Sequence, residues 1–143
     1  MNVYLDSSVV LGRLQGERAP TIPWARWEHA YSSVLLRAEV LRTIDRSRLR
    51  QALTDQGVAE LISRAHAVFD TLELVTMSQP ILDRASQSFP TALGTLDALH
   101  LATALRLREI GGIEMTFLTH DAELAVAARS MNFPVEGSQL LRN

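Results

Sequence analysis

The chain has 143 residues and an apolar fraction of 47%, enough for one domain with a sizeable core. It has no cysteine, which excludes disulfides, thiolate metal sites and a cysteine nucleophile and agrees with a reducing cytoplasm. Net charge is -2 and all 14 basic residues are arginine, so the molecule is no polycation, any nucleic-acid contact is local, and lysine chemistry is excluded.

Asn2-Val3-Tyr4-Leu5 reads as a short buried strand running straight into Asp6. Ser7 and Ser8 follow, and Val9-Val10-Leu11 opens a helical turn. A strand that ends on a carboxylate puts charge at the carboxyl edge of a sheet, where open α/β folds bind ligands. No basic leader precedes it, and no apolar run approaches the ~20 residues that cross a bilayer. Gly12 and Gly16 loosen the chain, and residues 19–23 form a turn-rich connector. Trp24 and Trp27, three apart on one side of a possible short helix, read as packing rather than a nucleotide-stacking platform. His29 to Ser33 is a second strand leading into a helix cap.

From Val34 to about Ser47 the pattern is helical, with Leu36, Val40, Leu41 and Ile44 as the apolar stripe and Glu39 at its edge. Arg37, Arg42, Arg46, Arg48 and Arg50 crowd this stretch against only Glu39 and Asp45. Arginines near a helix C-terminus complement its dipole, so a solvated face is the ordinary reading and a phosphate-holding surface the functional one. A helix follows over 51–69, with Leu61, Ile62, Ala65, Val68 and Phe69 apolar and His66 read as a surface or half-buried residue rather than a ligand. Residues 72–77 form a third strand. Ser78-Gln79-Pro80 starts a helix that runs to about Ser88, before Pro90.

The next helix is the most informative. Thr95 caps it and Gly111-Gly112 ends it. Asp97, Leu101, Ala104 and Arg108 fall along one row, with Ala98, Ala102 and Leu105 beside it. Asp97 therefore occupies an apolar flank in a first helical turn. Residues 114–119 form a fourth strand with His120-Asp121 at its carboxyl end. A helix over 122–131 and an edge strand over 133–136 complete the chain. Alternating strands and helices imply an α/β domain spanning 1–143, with a mainly parallel sheet.

Two acids thus end strands, Asp6 and Asp121, and two lie on helices among apolar residues, Glu39 and Asp97. Each has an ordinary explanation. Asp6 and Asp121 can be N-caps, Glu39 can pair with Arg42, and Asp97 can merely suit the dipole. His100 and His120 read as structural or surface groups rather than general bases. Jointly the acids say more. Four carboxylates converging on one sheet edge repel one another, and with no lysine available the natural counter-charge is Mg²⁺ or Mn²⁺ with oxygen ligands. One such ion, or a pair, can activate water and stabilise the leaving oxygen in phosphodiester cleavage.

The segments Leu5-Asp6-Ser7-Ser8, Ala38-Glu39-Val40-Leu41, Leu96-Asp97-Ala98-Leu99-His100-Leu101-Ala102-Thr103-Ala104 and Leu118-Thr119-His120-Asp121 come in the order and spacing of a known family. With them the chain resembles, over nearly its whole length, the PIN-domain family and within it the VapC-type toxin ribonucleases of bacterial toxin–antitoxin pairs. The resemblance implies a three-layer fold, a twisted sheet of about five strands flanked by helices, with an acidic pocket that binds Mg²⁺ or Mn²⁺ and hydrolyses RNA. It implies Asp6 and Asp97 as main metal ligands, Glu39 as a ligand or water-orienting acid, and Asp121 as the fourth acid. Thr119 and Ser7 match hydroxyl positions of the family. His120 departs from the aromatic that many relatives carry there. The resemblance further implies an inhibitory cognate antitoxin covering the acidic groove, and a homodimer.

Other readings fit less well. A phosphoacceptor receiver domain needs a lysine, a haloacid-dehalogenase-type phosphatase wants an acid where Ser8 stands, and no Gly-Lys-Ser/Thr of a P-loop occurs. A non-catalytic PIN-like module that binds RNA or protein is the remaining alternative, and the presence of all four acids weighs against it.

Overall fold

The computed structural model describes residues 1–16, 22, 24 and 26–138. Apart from Ile22, the connector expected over 19–23 lies outside the described residues.

Strand β1 (Asn2–Leu5) is the centre of the sheet. It pairs in parallel with β2 (His29–Ser33), aligning Val3 with Ala30 and Tyr4 with Tyr31. On its other side it pairs with β4 (Thr116–Leu118), aligning Tyr4 with Phe117 and Leu5 with Leu118. Strand β3 (Glu73–Val75) extends the sheet beyond β2, and β5 (Val135–Glu136) extends it beyond β4. The order is β3-β2-β1-β4-β5, with every pairing parallel. The chain therefore works outward from β1 to one edge, then returns to build the other half. The reversal falls between β1 and β4, and such a switch point opens a crevice at the carboxyl ends of the strands.

β1 is buried on both faces, as a central parallel strand must be. Val3 and Leu5 meet Val9, Ala30 and Leu118 on one side. Tyr4 points the other way, stacked on Phe117 at a centroid distance of 5.2 Å and packed with Leu101, Leu105 and Leu124. Each such large side chain stabilises the fold by roughly 1.5–3 kcal/mol through burial. Helices α1 (Ser7–Gln15), α2 (Leu35–Leu49) and α3 (Asp55–Phe69) share a core of Val10, Leu14, Leu36, Val40, Ile44 and Phe69. Helices α4 (Gln79–Ala85), α5 (Thr95–Glu109) and α6 (Ala122–Ser130) complete the other layer. α5 packs against β2, α4 and α6 and is buried at seven consecutive-turn positions including Ala98, Ala102 and Ala104, whose small side chains allow that approach.

Several local expectations are corrected. α3 begins at Asp55 rather than 51, because Gln51 adopts a positive φ of 55° and Thr54 caps the helix, accepting from Gly57 N at 3.0 Å. α5 is capped by Gly94, with Thr95 its first helical residue, and no side chain caps it. Ser78 occupies the cap position of α4, but its hydroxyl makes no capping hydrogen bond; that helix stops at Ala85 instead of running to Ser88. Trp24 and Trp27 lie in a turn and a bend, not a helix, and meet edge to face at 5.4 Å over the Val3–Leu5 side of the core. Among the described residues no helix is long and apolar enough to cross a membrane.

Candidate active site

Asp6 leaves β1 at the switch point and is almost wholly buried, 3% exposed. Hydroxyls hold both of its carboxylate oxygens. Ser8 Oγ donates to Oδ1 at 2.6 Å and Thr119 Oγ1 donates to Oδ2 at 2.5 Å. Oδ1 also accepts the backbone N–H of Val9, so Asp6 is an N-cap of α1 as well. The same hydroxyls bind the loop after β4, since His120 N donates to Ser8 Oγ and Asp121 N to Thr119 Oγ1. One small network thus ties the ends of two adjacent strands. Burial pushes the Asp6 carboxyl upward, and the Ser8 and Thr119 hydrogen bonds pull against that.

Glu39 reaches the same edge from α2. It does not pair with Arg42, which binds Asp45 instead. Ser7 Oγ donates to its Oε2 at 3.0 Å, and the imidazole of His100 lies 2.6 Å from its Oε1. His100, on α5, is fully buried. Its other ring nitrogen is 2.8 Å from the hydroxyl of Tyr4, and burial raises the Tyr4 phenol so that it keeps its proton. His100 is therefore no surface group; it is polar on both sides and joined to an acid of the site. His120 also faces inward, with Nδ1 2.8 Å from the carbonyl of Gly137.

Asp97 stands in the first turn of α5, half-buried. Its carboxyl is pushed up to about 6, first by desolvation and then by the negative charges of Asp121, Asp6 and Glu39, with His100 opposing. All three other acids are thus within electrostatic reach of Asp97. Asp121 caps α6, Oδ1 accepting from Leu124 N at 2.8 Å. Both strand-end acids turn out to be caps and members of the acidic group at once.

The four acids offer only oxygen donors and repel one another, which is the donor chemistry of Mg²⁺ or Mn²⁺. Among the described residues, no three His, Asp or Glu side chains are grouped as metal ligands. Both oxygens of Asp6 and of Glu39 instead face hydrogen-bond donors of the protein. The network of Ser8, and the Tyr4–His100 pair behind Glu39, were not assigned by sequence reasoning. Their partners lie tens of residues away, and no local pattern marks them.

Beside Glu39 opens a groove of about 400 Å³, lined by Ser7, Leu35, Ala38, Arg42, Arg46 and Leu96 among others. It divides the arginine cluster. Arg42 and Arg46 border the groove, whereas Arg37 lies over the ring of Phe69 at 5.8 Å and Arg48 binds Asp45 at 2.8 Å.

Comparison with known proteins identifies a family and relatives. The family model described as PIN domain matches residues 3–130. Ribonuclease VapC46 of Mycobacterium tuberculosis is 34% identical over 137 residues, covering 93% of this chain and 95% of that protein. Ribonuclease VapC47 of the same species is 28% identical over 139 residues, covering 92% and 93%. Among solved structures, a chain of VapBC-1 from nontypeable Haemophilus influenzae superposes with a TM-score of 0.55 at 13% identity, over 96% of this chain and 98% of that one, a likeness of fold.

Proposed function

The chain belongs to the PIN-domain family, and on that premise we propose that it is a divalent-metal-dependent endoribonuclease acting as the toxin of a toxin–antitoxin pair. The observation that carries the reading is the state of Asp97. Its proton affinity is raised first by desolvation and then by the charges of Asp121, Asp6 and Glu39, so four acids distant in sequence share one field. The ribonucleases named above support RNA as substrate.

Asp6 and Asp97 would hold the ion, with Glu39 and Asp121 completing the acidic site around it. Ser8 and Thr119 fix Asp6 before any ion arrives, so its orientation costs nothing at binding. Glu39, held by Ser7 and His100, orients the attacking water. Bound Mg²⁺ or Mn²⁺ supplies activation of that water and charge stabilisation at the leaving oxygen. Arg42 and Arg46 hold phosphates of the RNA strand in the groove beside Glu39. That groove is also the surface a cognate antitoxin would cover, and the fold likeness to VapBC-1 supports such a partner. The cytoplasm is the expected location and a homodimer the expected assembly.

Purified protein freed of antitoxin should cleave single-stranded or looped RNA with Mg²⁺ or Mn²⁺, and EDTA should stop it. Asp97→Asn should lower kcat/KM roughly 10²–10³-fold with an unchanged circular dichroism spectrum. A variant that cuts as well as the parent would refute this assignment.

A further inference from the structure

Tyr4 and His100 are buried polar groups that the reaction above does not use directly. The His100 ring is 0% exposed, so it cannot touch RNA. Leu101 and Leu105 fill the neighbouring core with hydrocarbon. A buried imidazole is costly unless both nitrogens find partners. Here both do. Nε2 lies 2.6 Å from Glu39 Oε1 and Nδ1 lies 2.8 Å from Tyr4 Oη, the two rings meeting edge to face at 5.8 Å and 74°.

A carboxylate only accepts, so Nε2 carries a proton and donates it to Glu39. Tyr4 in turn sits in the central strand, pinned by Phe117 and the surrounding core. Glu39 is thus gripped at one oxygen from α5 and at the other by Ser7 of α1, neither belonging to its own helix. We propose that Tyr4 and His100 form a positioning relay that transmits the rigidity of β1 to the Glu39 carboxylate, fixing its orientation toward the divalent cation and the attacking water. The relay rests on the metal-dependent nuclease reading of the same site. Groups that orient metal-site acids in this way commonly change affinity or turnover about 10- to 100-fold when removed.

Tyr4→Phe is the sharpest test, because it deletes one oxygen and keeps the stacked ring. Mn²⁺ affinity, followed by calorimetry or by the electron paramagnetic resonance of the ion, should fall about 10-fold, and kcat should fall with KM for RNA unchanged. His100→Gln should do the same more strongly, up to about 100-fold, with folding checked by circular dichroism. In a Glu39→Gln background, Tyr4→Phe should cost Mn²⁺ affinity nothing further. Parent-like Mn²⁺ affinity and kcat in folded Tyr4→Phe would overturn the relay alone, as would an equal loss in the Glu39→Gln background. Failure of the parent itself to bind Mn²⁺ would overturn the relay and the nuclease reading together.

Discussion

Asp97 concentrates the electrostatics of the site. Its carboxyl holds a proton more tightly in the fold than in the unfolded chain, up to about 6. Stability from that proton is fully present below about pH 4 and is lost as pH rises through 6. Metal-free protein should therefore lose roughly 1–2 kcal/mol between pH 4 and 7, once solvent screening of a half-buried group is allowed for. Saturating Mg²⁺ or Mn²⁺ at pH 7 should restore stability, by about 2.7 kcal/mol at 100 times Kd. Thermal melts of the parent and of Asp97→Asn check this, because the variant should show a smaller pH step, with Asp6 still raised by burial, and a weaker metal shift. The acids themselves were legible in the sequence, since each stands at a strand end or beside an apolar helical row. Ser8 and His100 were not, because hydrogen bonds such as Ser8 to the loop after β4 join residues 112 apart.

Among the elements, the strand–helix junctions do double duty. Asp121 caps α6 while belonging to the acidic group. Asparagine caps nearly as well as aspartate, whereas alanine does not. Asp121→Asn should keep the melting temperature and lose activity, while Asp121→Ala should lose activity and about 1 kcal/mol of stability in denaturant titration. Gly137 sets a second constraint. Its φ is 102°, and a Cβ there would stand 2.6 Å from the carbonyl oxygen of Thr119. Gly137→Ala should destabilise by about 1–3 kcal/mol and cut activity, by shifting the loop that carries Thr119 and His120. Helix and strand positions were largely readable from apolar periodicity. Exact ends were not, because α3 starts only after the positive φ of Gln51 and the Thr54 cap, and α5 after Gly94, rather than where hydrophobicity changes.

The whole molecule is weakly acidic, so the proposed hold on RNA must come from a local surface. Arg42→Ala and Arg46→Ala together should flatten the dependence of RNA affinity on salt by about 1.4 in the log–log slope, at 0.7 per phosphate contact on a single strand. Arg37→Ala, on the Phe69 side of α2, should leave the slope as it was. Fluorescence anisotropy with a labelled oligonucleotide in EDTA measures both. The sequence spoke for a parallel α/β class through its alternating elements, but strand order was beyond it, since pairing between β1 and β4 joins residues more than a hundred apart. That same pairing governs when a newly made chain completes its acidic group. Until β4 has left the ribosome, β1 is an unfinished edge, Asp6 has no Thr119 to seat it, and the fourth acid does not yet exist. On the proposed ribonuclease reading, a nascent chain of this design lacks a complete acidic site for most of its synthesis.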